Sequence, residues 1–163
     1  MALQTVLITG CDQGIGFALA EQYAANQWSV IATVKDKRNA KQLDQLPSVR
    51  VMEMDVADQN SVTNAAVHLS GEKIDVLVNN TDVLIRGGLE DVSDHDFLKQ
   101  LQVNTLGPFL ITRAFLPNLR IAVNQVGFAK VVNMGSRMGS IVDNTSGGLY
   151  GYRASKAGLH MRL

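Results

Sequence analysis

The sequence predicts an α/β domain, a parallel sheet wound on both faces by helices, and three observations carry that prediction. Short apolar runs rich in β-branched residues alternate with helical patterns along the chain. The second run, Ser29–Val34, is apolar at Val30, Ile31, Ala32 and Val34, as in a strand buried on both faces. The first run, Val6-Leu7-Ile8-Thr9, ends in a turn containing Gly10, Gly14 and Gly16, and a helical pattern (Ile15, Leu19, Ala20, Tyr23) starts inside that turn.

Residues 3–9 read as strand 1, 15–26 as helix 1 and 29–34 as strand 2. A polar helix is expected over 35–46, closed by Pro47; strand 3 follows over 49–54, and a helix over 61–69 capped by Asp58 or Asn60. Strand 4 is expected over 74–78. A long helix then starts at a Ser93 or Asp94 cap and runs to about Leu119, before strand 5 over 129–133. After the loop 134–147, a last helix starts near Gly148 and keeps its rhythm to Leu163 with no C-cap signal. Right-handed crossovers between alternating strands and helices give a Rossmann-like doubly wound sheet in the order 3-2-1-4-5.

With 163 residues and 46% hydrophobic content, one domain with a sizeable core is expected. Fifteen basic and fifteen acidic side chains cancel, and no basic stripe carries interleaved aromatics, which argues against nucleic acid and against an anionic membrane surface as partners. No apolar run reaches the roughly 18 residues of a spanning helix. The single Cys11 has no partner for a disulfide within the chain, and strand 1 begins within a few residues of Met1, so the expected location is the cytoplasm. His68, His95 and His160 lack metal-ligand spacing, so no metal site is expected.

The glycine turn has the physics of a dinucleotide site. Gly10 allows a tight turn, Gly14 lets the backbone approach a pyrophosphate, and Gly16 lets the helix lie close to the strand, while the helix N-terminus offers N–H groups to the anion. Tyr152 and Lys156, four apart on one helix, share a face. That helix follows strand 5, so the pair falls at the sheet edge of the glycine turn, with Ser136 in the intervening loop.

The residues Thr9-Gly10-x-x-x-Gly14-Ile15-Gly16, Asp55-Val56, Asn79-Asn80, Asn104, Gly135-Ser136 and Tyr152-x-x-x-Lys156 together resemble the short-chain dehydrogenase/reductase family. The stretch from Gly139-Ser140-Ile141 to Lys156 is similar to its Sniffer and C-factor carbonyl reductases. The resemblance implies an oxidoreductase that moves a hydride between a nicotinamide cofactor and a small carbonyl or alcohol substrate, with Asn104, Ser136, Tyr152 and Lys156 catalytic. Tyr152 would be the general acid/base, poised near neutrality by a downward shift of roughly 3 pKa units supplied by Lys156 and the oxidised nicotinamide ring. Lys156 would also bind the nicotinamide ribose, and Ser136 would hold the substrate oxygen. Tyr150 is the rival phenol, without a lysine at i+4. Because Pro108 has no N–H, the Asn104 carbonyl four residues earlier is left without its helical partner and can hold a water, which in the family links the lysine to solvent.

The resemblance assigns Gly10, Gln13, Gly14, Ile15, Gly16, Lys35, Asp55, Val56, Asn79, Asn80, Tyr152 and Lys156 to the cofactor. A basic residue at the end of strand 2 pairs with the extra phosphate of NADP, an acidic one with the ribose of NAD. Lys35 takes the basic position, Asp36 follows at once, and Gln13 stands where many NADP-dependent relatives carry a second basic residue; NADP(H) is expected over NAD(H). Asp55 would accept from the adenine amino group.

In one place the sequence departs from the family, which has Ala-Gly where Thr81-Asp82 stands. A carboxylate about 6 Å from a cofactor phosphate repels it by roughly 2–3 kcal/mol at an effective dielectric near 20. The family also continues through two more strands and a mobile substrate loop, so relative to it the domain is expected to be incomplete at the C-terminus, with strand 5 as a sheet edge. Two functions are therefore in view, an NADP(H)-dependent carbonyl reductase and an inactive or weakly active relative acting in signalling or interaction. Under either, the resemblance implies a homodimer or homotetramer through the 94–119 helix and the last helix.

Overall fold

A computed structural model describes residues 3–161. Its sheet has five parallel strands in the order β3-β2-β1-β4-β5: β1 is Thr5–Thr9, β2 Ser29–Val34, β3 Val49–Glu53, β4 Val76–Asn79 and β5 Lys130–Asn133. Successive residues of a strand point to opposite faces, and this divides the core into two layers. Leu7, Ile31 and Leu77 meet Val62, Ile111 and Phe115 on one face, while Val6, Ile8, Val30, Ala32 and Val78 meet Ala20 and Ala24 on the other. These partners come from α2 (Gln59–His68) and α4 (Gly107–Ala114) with the Phe115 junction that follows it, and, on the second face, from α1 (Gly14–Ala25). β5 lies at an edge of the sheet, with Val131 and Val132 partly exposed.

Two expected helices break. Over 35–46 there is no α-helix but two short 3-10 turns, Lys37–Asn39 and Leu43–Gln45. Asp36 accepts a hydrogen bond from Arg38 N at 2.9 Å and forms a local turn that competes with the helix, and only Ala40 and Leu43 of this stretch are buried hydrophobic residues, too few for a helical stripe.

The expected helix over 94–119 is three helices: α3 (Asp94–Leu101), α4, and α5 (Leu116–Val126). A π-helical turn, Gln102–Leu106, joins the first two, just ahead of the proline that cannot donate to the ladder. Pro117 starts α5, which ends at Gly127 in the left-handed conformation (φ 86°). Ser93 caps α3 by accepting from Asp96 N, as expected. α6 spans Tyr150–Met161; the expected continuation to Leu163 lies outside the described residues. Among the described residues, no helix is long and apolar enough to cross a membrane.

Candidate active site

The carboxyl end of β1 turns sharply at Gly10, whose φ of +68° is in the left-handed region. A Cβ on Gly16 would sit 2.0 Å from the Gly10 carbonyl oxygen, so only glycine lets α1 start this close to the strand. Above Gly14, by contrast, nothing lies within 4 Å of where a Cβ would be, which leaves the N-terminus of α1 open to an anion. The turn is fixed from β4. Asn80 Nδ2 donates to the carbonyls of Thr9 (2.9 Å) and Gly10 (3.1 Å), and Thr9 Oγ1 accepts from Asn80 N and Thr81 N, both at 3.0 Å.

Two cavities flank this turn and share Gly10, Asp12, Thr81 and Asp82. One, of about 360 Å³, is lined by Gln13, Ile15, Asn80, Ser136 and Tyr152. The other, of about 640 Å³, holds Lys35, Asp55 and Val56. Together they form a trough along the carboxyl ends of the strands, where ligands bind in open α/β sheets. Of the expected cofactor residues, Gly14, Gly16, Asn79 and Lys156 line neither cavity. Asn79 is buried and donates to Asn133 Oδ1 (2.8 Å) and Thr112 Oγ1 (3.3 Å).

At the Lys35 end, Nζ lies 2.7 Å from Asp55 Oδ2. Burial pushes the Asp55 carboxyl up, but the Lys35 ammonium and the Ala57 N–H outweigh it and hold the carboxyl below its ordinary range. Asp36 is occupied elsewhere. Arg38 Nε lies 2.9 Å from both of its oxygens and lowers its pKa to about 2.

At the other end, Ser136, Tyr152 and Lys156 are brought together. Lys156 is buried, and its ammonium donates to the Met134 carbonyl at 2.7 Å. The Ser136 hydroxyl accepts from Met138 N at 3.1 Å, and Ser136 N donates to His160 Nε2 at 3.4 Å. Tyr150 lies on the first residue of α6, 43% exposed and outside the cavity. The π turn braces α6: Asn104 Nδ2 donates to Ser155 Oγ (2.9 Å), which donates to the Tyr152 carbonyl (2.8 Å), and Thr105 Oγ1 donates to the Ser155 carbonyl (2.7 Å). This role of the Asn104 side chain is additional to the one expected of its carbonyl, and the bend at Pro108 was its only signal in the sequence.

Asp82 differs most from expectation. Its Oδ2 accepts from the Tyr152 hydroxyl at 2.9 Å and lies 3.0 Å from Lys156 Nζ. The Tyr152 pKa is raised to about 12, first by burial and then by Asp82, with Ser136 working the other way. The free chain therefore does not depress this phenol; the expected downward shift includes the field of the oxidised nicotinamide ring. Cys11 is buried, donates to the Ile8 carbonyl at 3.2 Å, and has a thiol pushed up to about 12 by that burial, which makes it an inert filler.

Comparisons with known proteins agree with this geometry. The C-signal protein of Myxococcus xanthus is 44% identical over 91 residues, covering 55% of this chain and 52% of that protein. The NADPH-bound carbonyl reductase from chicken fatty liver superposes with a TM-score of 0.90 at 29% identity, over 99% of this chain and 72% of that one. The carbonyl reductase Sniffer of D. melanogaster gives 0.89 at 26% identity, over 99% and 73%. The chain spans about half the length of several curated relatives that it matches. The family model for short chain dehydrogenases matches residues 4–162, and the chain belongs to that family.

Proposed function

We propose that the chain is an NADP(H)-dependent oxidoreductase that interconverts a small-molecule carbonyl and its alcohol, with Tyr152 as the general acid/base. The observation that carries this reading is the trough itself, in which the open glycine turn leads at one end to Lys35 and Asp55 and at the other to Ser136 and Tyr152, with the buried Lys156 paired to the lining Asp82. The space above Gly14 fits a pyrophosphate on the α1 N-terminus, beside the exposed side chain of Ile15. Lys35, 80% exposed, would exchange its ion pair with Asp55 for a ribose phosphate, while Asp36 is bound to Arg38. The chicken carbonyl reductase, which has the same fold, is described as bound to NADPH.

When bound, the cofactor supplies a hydride to the carbonyl carbon. The chain's own residues manage the oxygen. Ser136 donates to it as negative charge develops, and Tyr152 transfers its hydroxyl proton. Lys156 has three N–H groups; Met134 and Asp82 take two, and the third is available to a ribose hydroxyl.

Replacing Tyr152 by Phe tests the assignment. It lowers NADPH-dependent carbonyl reduction by about 10²-fold or more; undiminished turnover would remove Tyr152 from the mechanism. For the assembly, we read the chain as a homodimer or homotetramer. In support, Leu98, Leu106 and Phe109 give α3, the π turn and α4 an exposed apolar face.

A further inference from the structure

A single carboxylate oxygen serves both members of the catalytic pair. Asp82 Oδ2 accepts the only hydrogen of the Tyr152 hydroxyl and neutralises the buried Lys156 ammonium. Anchors on both sides build this placement. On one side, Thr81 N is held by Thr9 Oγ1 at 3.0 Å. On the other, Val83 N donates to Asn104 Oδ1 and the Val83 carbonyl accepts from Asn104 Nδ2, each at 2.8 Å. Asp82 is thus suspended between two fixed residues, and the same Asn104 side chain braces α6 beneath the pair.

Resting on the reductase reading above, we propose that Asp82 is a positioning residue that sets the pH range in which the site works: its carboxylate holds Tyr152 as a neutral hydroxyl, which must turn from Asp82 to protonate a carbonyl oxygen, and suppresses the phenolate from which alcohol oxidation starts, confining oxidation to alkaline pH. In reduction the Tyr152 O–H bond breaks, the O–H bond of the alcohol forms, and the phenolate recovers its proton from water, with the hydride coming from NADPH. In oxidation the phenolate must exist first. A phenolate beside a carboxylate is opposed by like charge, and the adjacent Lys156 ammonium is already shared with Asp82. The other ionisable groups nearby are Asp12 across the cavity and His160 a turn beyond Lys156, with Lys35, Asp55, His95 and Lys99 on the far side of Asp82. The Tyr152 hydroxyl bonds to Asp82.

The test uses Asp82→Asn, which keeps size and polarity, and Asp82→Glu, which restores the charge. Tyr152 ionisation is followed by ultraviolet absorbance of the phenolate in the cofactor-free protein, with Tyr152→Phe as the blank that removes Tyr23 and Tyr150. In D82N the midpoint falls by about one pH unit or more, a tenfold change. The alkaline rise of NADP-dependent alcohol oxidation moves down with it, carbonyl reduction keeps its profile through neutral pH, and D82E restores the original profiles. An unmoved Tyr152 midpoint in D82N overturns the proposal, as does a moved midpoint with an unmoved oxidation limb. A moved midpoint in a chain with no turnover in either direction contradicts the reductase reading instead, so the two failures are distinguishable.

Discussion

At Asn104 one amide joins three segments: the Val83 backbone on both its polar groups, Ser155 on α6, and the π turn to which it belongs. Removing it in Asn104→Ala leaves buried donors and acceptors unsatisfied, at about 1–3 kcal/mol each when no water replaces the bond. The expected outcome is a lower denaturation midpoint together with a loss of carbonyl reduction, because Asp82 and Tyr152 both lose a brace; a variant with unchanged stability would contradict this account. Tyr152, Lys156 and Ser136 were legible in the sequence because i,i+4 spacing and the position after strand 5 bring them to one edge. Asp82 was visible only as a foreign charge after Asn79-Asn80. Its contact with Tyr152 spans 70 positions and depends on where two separately anchored loops end, which local pattern does not encode.

The elements were read correctly where packing and local chemistry agree. All five strands fall within two residues of expectation; β1, β2 and β4 are buried near-continuous apolar runs, and the edge strands β3 and β5 keep short β-branched runs. The 94–119 helix was read as continuous because its apolar period survives the interruptions at Pro108 and Pro117, and the 35–46 segment was read as a helix from polar composition that carried no buried stripe. The broken helix has its own consequence. Leu98 (61% exposed) and Leu106 (45%) lie on the same apolar face, and burying such a face between copies is the expected source of association. Light scattering is expected to give a dimer or tetramer for the chain and a monomer for the double variant Leu98→Glu, Leu106→Glu; a monomer before substitution contradicts the assembly reading.

For the whole molecule, the strand order puts the glycine turn of β1 beside the ends of β2 and β4, so the two cavities become one trough with Lys35 at one end and Tyr152 at the other. The order followed from alternating strands and helices alone. Asp82 lines both cavities where they meet, and its charge bears directly on whether a dinucleotide can lie there. Calorimetric titration of the 163-residue chain with NADPH and with NADH is the most direct test. The account predicts saturable binding of NADPH, at least about tenfold tighter than NADH, with that preference lost in Lys35→Glu, a change of about 1.4 kcal/mol. No binding of either nucleotide would contradict the cofactor site and the reductase reading built on it.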